Sequence, residues 1–379
     1  MAERRLFYAT NRNHLGKDRW HPDGYGKKFS DDGVENLRFG RVLVKVDESK
    51  IDRYIEKDRG SMGQGDGEGL IKYLAKCAES ADIAAYREKI NRSVAEDQQD
   101  DVKLGSKAAF SDLQTIMRRS SDVLLFIHGY NVSWTDAVGT ALSLQEMLSR
   151  CPDGDPEQQV QVVLFTWPSD GMALPFVSYK SDRSEAAGSG NAVGRGILKV
   201  RDFLASLRRA EEELCKQDLH ILCHSMGNYL LEHAIERCDA FTPGNALPRI
   251  FEHIFLCAAD VDDTALEEGQ PLGRAHELAR NVSVYYNRGD AALVISDFTK
   301  GNPDRLGSNG PARPTHVHSK VHQVDCTSIV KGLVEHSYYL VGHVNADIRM
   351  SIDGLPHDDP RRQRNRVGLM GNQWEMRST

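Results

Sequence analysis

The chain has 379 residues, enough for a sizeable buried core in one α/β domain with insertions or in two domains. Lys and Arg total 48 against 55 Asp and Glu, a net charge of −7 that argues against a nucleic-acid partner held by bulk electrostatics and suits an ordinary soluble protein. No apolar run approaches the ~18 residues of a membrane span, residues 1–5 lead into a strand-like segment and not a secretory apolar region, and the seven cysteines are scattered without CxxC spacing, so the expectation is reduced core thiols, the cytoplasm and no integral membrane association.

Residues 5–10 and 39–46 read as early strands, the second alternating apolar and polar as a half-buried strand does. The polar, Gly-containing stretch 11–37 reads as a long loop between them. From 47 to 104 the pattern is charged and irregular, with helical spacing only around Ile71, Leu74 and Cys77, and reads as a partly helical, partly mobile insertion. Phe110, Leu113, Ile116 and Met117 then recur on one helical face that ends at Arg118 and Arg119, cations that suit a helix C-terminus.

Residues 123–127 form a continuous apolar strand running into His128-Gly129-Tyr130-Asn131, and a strand apolar on both faces is what a parallel sheet covered by helices requires. Ser133 can cap the next helix, whose Val138, Ala141, Leu142 and Leu148 supply a buried stripe. Residues 160–166 repeat the strand pattern and Trp167-Pro168-Ser169-Asp170-Gly171 breaks it. Residues 194–216 read as helix, and 219–223, 250–257 and 282–286 as three more strands. Such alternation predicts an α/β fold with a doubly wound, mostly parallel central sheet, whose ligands bind at the carboxyl ends of the strands.

At those ends lie the residues that carry chemistry. Cys223-His224-Ser225-Met226-Gly227 joins a strand to an amphipathic helix, the setting of a nucleophile elbow in which a serine hydroxyl stands clear of the sheet. Gly227 meets the need for a small residue two after the serine, whereas Cys223 replaces the usual glycine two before it; the competing reading of Ser225 is an ordinary helix start. Gly129 lets backbone approach a ligand, so the amides of Tyr130 and Met226 are candidate oxyanion donors. Asp260 follows one late strand and Asp290 the next; each could equally be a helix cap. His336, between the last strand and an apolar helix, stands where a base belongs in the chain order Ser, Asp, His, while His224 adjoins the serine but an elbow sends neighbouring side chains to different sides. His316, His318 and His322 would share one face if 315–324 were extended, with Asp325 nearby, but no second cluster completes a metal site and none is assigned.

Together, His128-Gly129-Tyr130-Asn131, Trp167-Pro168-Ser169-Asp170-Gly171, His224-Ser225-Met226-Gly227-Asn228-Tyr229, Asn287-Arg288-Gly289-Asp290-Ala291-Ala292-Leu293 and His336-Ser337-Tyr338-Tyr339 resemble the markers of a bacterial α/β-hydrolase family of unknown function, and Phe7-Tyr8-Ala9-Thr10-Asn11-Arg12 is similar to its usual opening. The resemblance implies an α/β-hydrolase fold, taken as one domain over 1–351 that contains the 47–104 insertion and a possible lid at 171–193; the polar stretch 352–379, with its Arg361 to Arg366 run, reads most simply as a solvated extension that could also dock on a partner. The resemblance also implies a serine-hydrolase triad of Ser225, His336 and Asp290, the acid assigned after the seventh strand in preference to Asp260. The expected reaction is hydrolysis of a small-molecule carboxylic ester through an acyl-enzyme, with no metal or organic cofactor and no nucleic acid. Met172, Leu174 and Phe176, in an apolar run where such folds can insert lids and acyl pockets, are the candidate substrate contacts. Two other readings fit the same fold: a non-catalytic scaffold that binds a small ligand or protein, and a lipase acting at a lipid surface.

Overall fold

The computed structural model describes residues 2–57, 66–88, 104–119, 121–169, 175–209, 217–293, 304–330, 336–340 and 342–377. Its strands are β1 (Ala2–Thr10), β2 (Arg12–Leu15), β3 (Gly24–Phe29), β4 (Arg38–Val46), β5 (Asp82–Ala85), β6 (Ser121–Ile127), β7 (Gln159–Thr166), β8 (Leu219–His224), β9 (Phe251–Cys257), β10 (Ala279–Tyr286), β11 (Val321–Asp325), β12 (Arg364–Val367) and β13 (Gln373–Met376). Among the described residues eleven of these form one sheet in the order β12-β13-β11-β10-β9-β8-β6-β7-β1-β4-β5. All pairings from β1 through β7, β6, β8, β9, β10 and β11 to β13 are parallel, and antiparallel pairs occur only at the margins, β1 with β4, β4 with β5 and β12 with β13. The doubly wound, mostly parallel sheet expected from the alternation is the one observed.

Alternation along the central strands sorts the core into two layers. Leu222, Phe126, Leu164, Phe255 and Tyr285 face helices α1 (Glu48–Glu56), α2 (Gly67–Ala78) and α4 (Trp134–Ser149) and the late helix Gly342–Ile352. Ile221, Cys223, Ile127, Phe165 and Leu256 face α5 (Pro175–Arg209) and α6 (Met226–Ala240). α3 (Gly105–Met117) lies near the start of β6, its Met117 packed with Phe7, Val123 and Val163. Ser133 caps α4 by accepting the Asp136 amide at 3.2 Å, which starts the helix immediately after the turn that ends β6. Among the described residues no helix is long and apolar enough to cross a membrane.

Three of the expected boundaries change. The stretch 11–37 is not all loop: β2 and β3 form a two-stranded antiparallel ribbon, too short and irregular for its alternation to stand out in sequence. Within 47–104, α2 buries Leu70 and Leu74 against the layer that contains α4, and β5 extends the sheet beside β4, so these parts belong to the core. The tail is not a solvated extension either. β13 pairs with β11, and the arginines that read as a surface run serve a buried acid: Arg362 Nε and Arg364 Nε each donate to Asp347 Oδ1 at 2.8 Å, with all three side chains at most 1% exposed. Tyr285 Oη donates to Asp347 Oδ2 at 2.6 Å. Burial alone would raise the Asp347 carboxyl, but the two guanidiniums hold it well below the usual carboxylate range.

The same tail covers neutral histidines. His322 and His357 stack at 3.3 Å between ring centroids, Trp374 Nε1 donates to His322 Nδ1 at 3.1 Å, and His253 lies 6.0 Å from His357. Burial first, and then the nearby Arg362 and Arg364, push His322 down to about 3. Burial, His322 and the same arginines push His357 down to about 2. An unfolded histidine titrates near 6.5. The unfolded chain therefore takes up protons that the fold refuses: stability is fully present above about pH 6.5 and falls as pH drops toward the folded values, by at most ~1.4 kcal/mol per pH unit for each histidine. Thermal melts are expected to show a clear loss between pH 7.5 and 5.0, and the His322→Gln/His357→Gln protein a shallower one. Parallel pH profiles for the two proteins would contradict this.

Candidate functional site

Ser225 connects β8 to α6 with φ 52° and ψ −123°, a left-handed backbone for a non-glycine residue. It occupies the N-cap position, yet its side chain makes no capping hydrogen bond; the plain helix-start reading predicts that bond. The turn is locked from below. The Ser225 amide donates to Cys257 O at 3.0 Å, the Ser225 carbonyl accepts from Asp260 N at 3.2 Å, and buried Asn228 Nδ2 donates to Ser225 O at 2.9 Å and Cys223 O at 3.2 Å. Asn228 is thus a structural part of the elbow, and sequence reasoning did not single it out.

Cys223 is tolerated because the crowding lies elsewhere. Its side chain is fully buried in the layer facing α5 and α6, and burial pushes its thiol up, out of reach of nucleophilic use. A Cβ on Gly227 would come within 2.6 Å of Ile127 O, and one on Gly129 within 2.8 Å of Ser225 Cβ. The residues that must be small are therefore Gly227 and, on the neighbouring strand end, Gly129.

Asp290 follows β10 and is fully buried. Its Oδ1 accepts the amides of Ala292 at 3.1 Å and Leu293 at 3.4 Å, which is the cap role open to it from sequence, while Oδ2 lies 2.7 Å from His336 Nδ1. One carboxylate does both jobs. The His336 side chain remains 19% exposed. His336 is held by its neighbours: its carbonyl accepts from His224 Nε2 at 3.1 Å, and Tyr338 Oη, two residues on, donates to Tyr285 O at 2.9 Å and accepts the Ala258 amide at 3.1 Å. Burial first, then the neighbouring His336, hold His224 well below the usual histidine range, so it serves as a neutral donor and spacer with its ring 4.7 Å from that of His336. Asp290 bonds His336 and the His336 ring lies against that of His224, while a Cβ on Gly129 would meet both His224 and Ser225, so these residues cluster at one place. Among the described residues no hydrogen bond joins Ser225 Oγ to His336.

Asp260 is engaged differently. It is 2% exposed, accepts from Tyr179 Oη at 2.7 Å and pairs with Arg305 Nε at 3.3 Å. The Tyr179 ring meets the Tyr130 ring edge-on at 5.9 Å, and Arg183, one turn along α5, lies 3.7 Å over the Tyr229 ring. These residues wall the side of the elbow towards α5 with aromatic and charged groups. Met172 and Leu174 lie outside the described residues, as does the side chain of Phe176. The three histidines weighed as a metal set are not brought together: His316 ends a short 3-10 turn, His318 stacks on His276 at 3.7 Å and His322 on His357.

The turn after β6 carries the second candidate amide. His128 is buried beneath it, its Nδ1 2.7 Å from Gly129 O and its Nε2 2.9 Å from Thr166 Oγ1. Arg12 Nε donates to the same Thr166 Oγ1 at 2.9 Å, which leaves the threonine hydroxyl to donate to His128 Nε2 and fixes the proton of His128 on Nδ1. Burial, then Arg12, push His128 down to about 3, so the ring is neutral. The Met226 amide, at the first position of α6, has no intrahelical carbonyl to bond.

The sequence profile of a family described as alpha/beta hydrolase of unknown function (DUF900) matches residues 106–346. An uncharacterized protein of Nostoc sp. is 25% identical over 222 residues, which cover 47% of this chain and 54% of that protein; the chain spans about half the length of this curated relative. Among solved structures, a Trichoderma reesei cutinase in complex with a phosphonate inhibitor is similar at 13% identity and a TM-score of 0.25, over 68% of this chain and 86% of the cutinase.

Proposed function

The chain belongs to this alpha/beta hydrolase family, and we propose that its activity is hydrolysis of a carboxylic ester through an acyl-enzyme. The observation that carries the reading is the 2.7 Å bond between His336 Nδ1 and a fully buried Asp290, beside a serine held in a left-handed elbow with an uncommitted hydroxyl. In the proposed reaction His336 Nε2 removes the Ser225 proton as Oγ attacks the ester carbonyl, and Asp290 keeps the imidazole in the right tautomer and stabilises the imidazolium. The amides of Tyr130 and Met226 receive the developing oxyanion, each such donor typically lowering the barrier by about 3 kcal/mol. The imidazolium protonates the departing alkoxide, leaving Ser225 acylated. Water, deprotonated by His336, then attacks the acyl carbonyl, and the serine leaves with the proton returned to it. The Ser225–His336 hydrogen bond belongs to the substrate complex, since catalytic hydrogen bonds are often long before substrate binds.

The test is labelling of the protein with a fluorophosphonate serine probe, followed by p-nitrophenyl esters of increasing acyl length. Labelling at Ser225 with turnover of short esters is expected. No labelling and no turnover would favour a non-catalytic scaffold, and activity that rises sharply above the micellar threshold of a long-chain ester would favour a lipase. The acid is tested by Asp290→Asn, expected to lower kcat on the order of 10⁴-fold by leaving His336 in the wrong tautomer. Asp260→Asn is expected to keep most of the turnover, because that carboxylate is bonded to Tyr179 and Arg305 and not to the base. The reverse pattern in folded proteins would move the acid to Asp260.

A further inference from the structure

Four polar groups of the turn at 129–132 have built partners, the carbonyls of Gly129 and Val132 and the amides of Asn131 and Val132, and both amides are tied, one directly and one through Ser169, to a single carboxylate. Asp182 lies on α5, 51 positions from the turn, and is fully buried. Its Oδ2 accepts the Asn131 amide at 3.0 Å and the Ser169 hydroxyl at 2.8 Å. Ser169 Oγ, its proton committed to Asp182, accepts the Val132 amide at 3.2 Å. The Val132 carbonyl accepts from Arg12 at 2.7 Å, and the Gly129 carbonyl from His128 at 2.7 Å. Asn131 itself sits at φ 58°, a left-handed conformation that asparagine tolerates better than most other residues.

The consequence follows from peptide geometry. In a trans peptide the carbonyl and the next amide point in opposite directions. With Gly129 O drawn toward His128 on one side, the Tyr130 N–H is sent to the opposite side of the peptide, in a turn so near the serine that a Cβ on Gly129 would come within 2.8 Å of Ser225 Cβ. The hold on Asn131 and Val132 keeps that peptide plane from rotating. We propose that Asp182 is a positioning residue for the oxyanion site: it clasps the turn and the Trp167-Pro168-Ser169 segment to α5 so that the Tyr130 amide is aimed before substrate arrives. This rests on the hydrolase reading above. Asp182 touches no reacting atom, so its effect lies in the transition state, where a donor displaced by even 1 Å can cost about 100-fold.

Asp182→Ala removes the clasp. Asp182→Asn restores it, because an amide oxygen can accept both bonds. The expected result is a drop in kcat of roughly 10- to 100-fold for Asp182→Ala, with KM within about two-fold, and recovery to within about five-fold of wild type for Asp182→Asn. Affinity for an arylboronic acid, which mimics the tetrahedral intermediate, is expected to fall in parallel with kcat/KM, a readout that a loss of stability alone would not move. If Asp182→Ala does not fold, Ser169→Ala carries the test, with a smaller loss of the same kind. Wild-type kcat and boronate affinity in either folded variant, or an Asn variant no better than Ala, would overturn the proposal. Labelling of Ser225 in the wild type separates the two readings. If the serine is not labelled, hydrogen exchange at 129–132 decides the clasp: faster exchange in Asp182→Ala but not in Asp182→Asn supports it, and unchanged protection in Asp182→Ala overturns it.

Discussion

Replacing Ser225 with alanine is expected to lower ester turnover by at least about 10⁴-fold, equivalent to ~5.4 kcal/mol of lost transition-state stabilisation, and to abolish fluorophosphonate labelling. The size of the effect comes from the loss of the covalent route. The oxyanion donors and the binding surface would remain, and they account only for whatever residual rate persists. The fold is expected to remain as well. Alanine keeps the Cβ, so the left-handed φ of 52° is neither relieved nor worsened, and the bonds that lock the turn use the Ser225 backbone and not its hydroxyl. A melting temperature close to wild type together with an absent mass shift after probe treatment is the expected pair of measurements. Turnover retained within ten-fold by a folded Ser225→Ala protein would place the nucleophile elsewhere.

Asp347→Ala is expected to have the largest effect on stability. The substitution strands the Arg362 and Arg364 guanidiniums, both at most 1% exposed, without their counter-charge, and removes the acceptor of the Tyr285 hydroxyl. Removing one partner of a buried ion pair typically costs about 3–5 kcal/mol, against a total stability of roughly 5–15 kcal/mol for a domain. β12 and β13 should be released first, because Arg362 precedes and Arg364 begins β12, β12 pairs with β13, and the pairing of β13 to β11 is short. The readout is a large drop in melting temperature with fast hydrogen exchange over 364–376. Replacement by asparagine keeps one acceptor oxygen but loses the charge and sets an NH2 donor where the second oxygen stood, so an intermediate result is expected. If Asp347→Ala melts like wild type with the tail still protected, the two arginines must find other partners at little cost.

What could be read in the sequence was whatever has a local signature. The parallel sheet was legible because its strands are continuous apolar runs separated by helical periods, and the elbow because a serine between strand and helix with Gly227 two residues on is a compact pattern. Asp290 and His336 were legible by their places at strand ends, although only the structure sets their atoms 2.7 Å apart. Groups that act across long separations left no such mark. Asp182 reaches a turn 51 residues away and Arg12 one 120 residues away, and each looks locally like one more charge in a polar stretch. The Arg361 to Arg366 run misled for a related reason: sequence displays a charge but not its counter-ion, and Asp347 lies in an earlier helix among other polar residues such as Asn345, Arg349 and Ser351. Cys223 appeared as a defect because a motif names positions, whereas the steric demand falls on atoms, here those facing Gly129 and Gly227.

The placement of Arg12 bears on how the molecule can be divided. It begins β2, the first strand of the ribbon that follows β1, and it bonds both the carbonyl of Val132 and the hydroxyl of Thr166. A fragment cut to the family match at 106–346 would lose it, would open β7 along the edge that β1 now covers, and would end one residue short of Asp347. The stretch by which the family is recognised is thus a signature and not a folding unit. Swaps, truncations and fusions that treat 106–346 as a module would remove the buried cation from beneath the turn after β6 along with both flanks of the sheet itself.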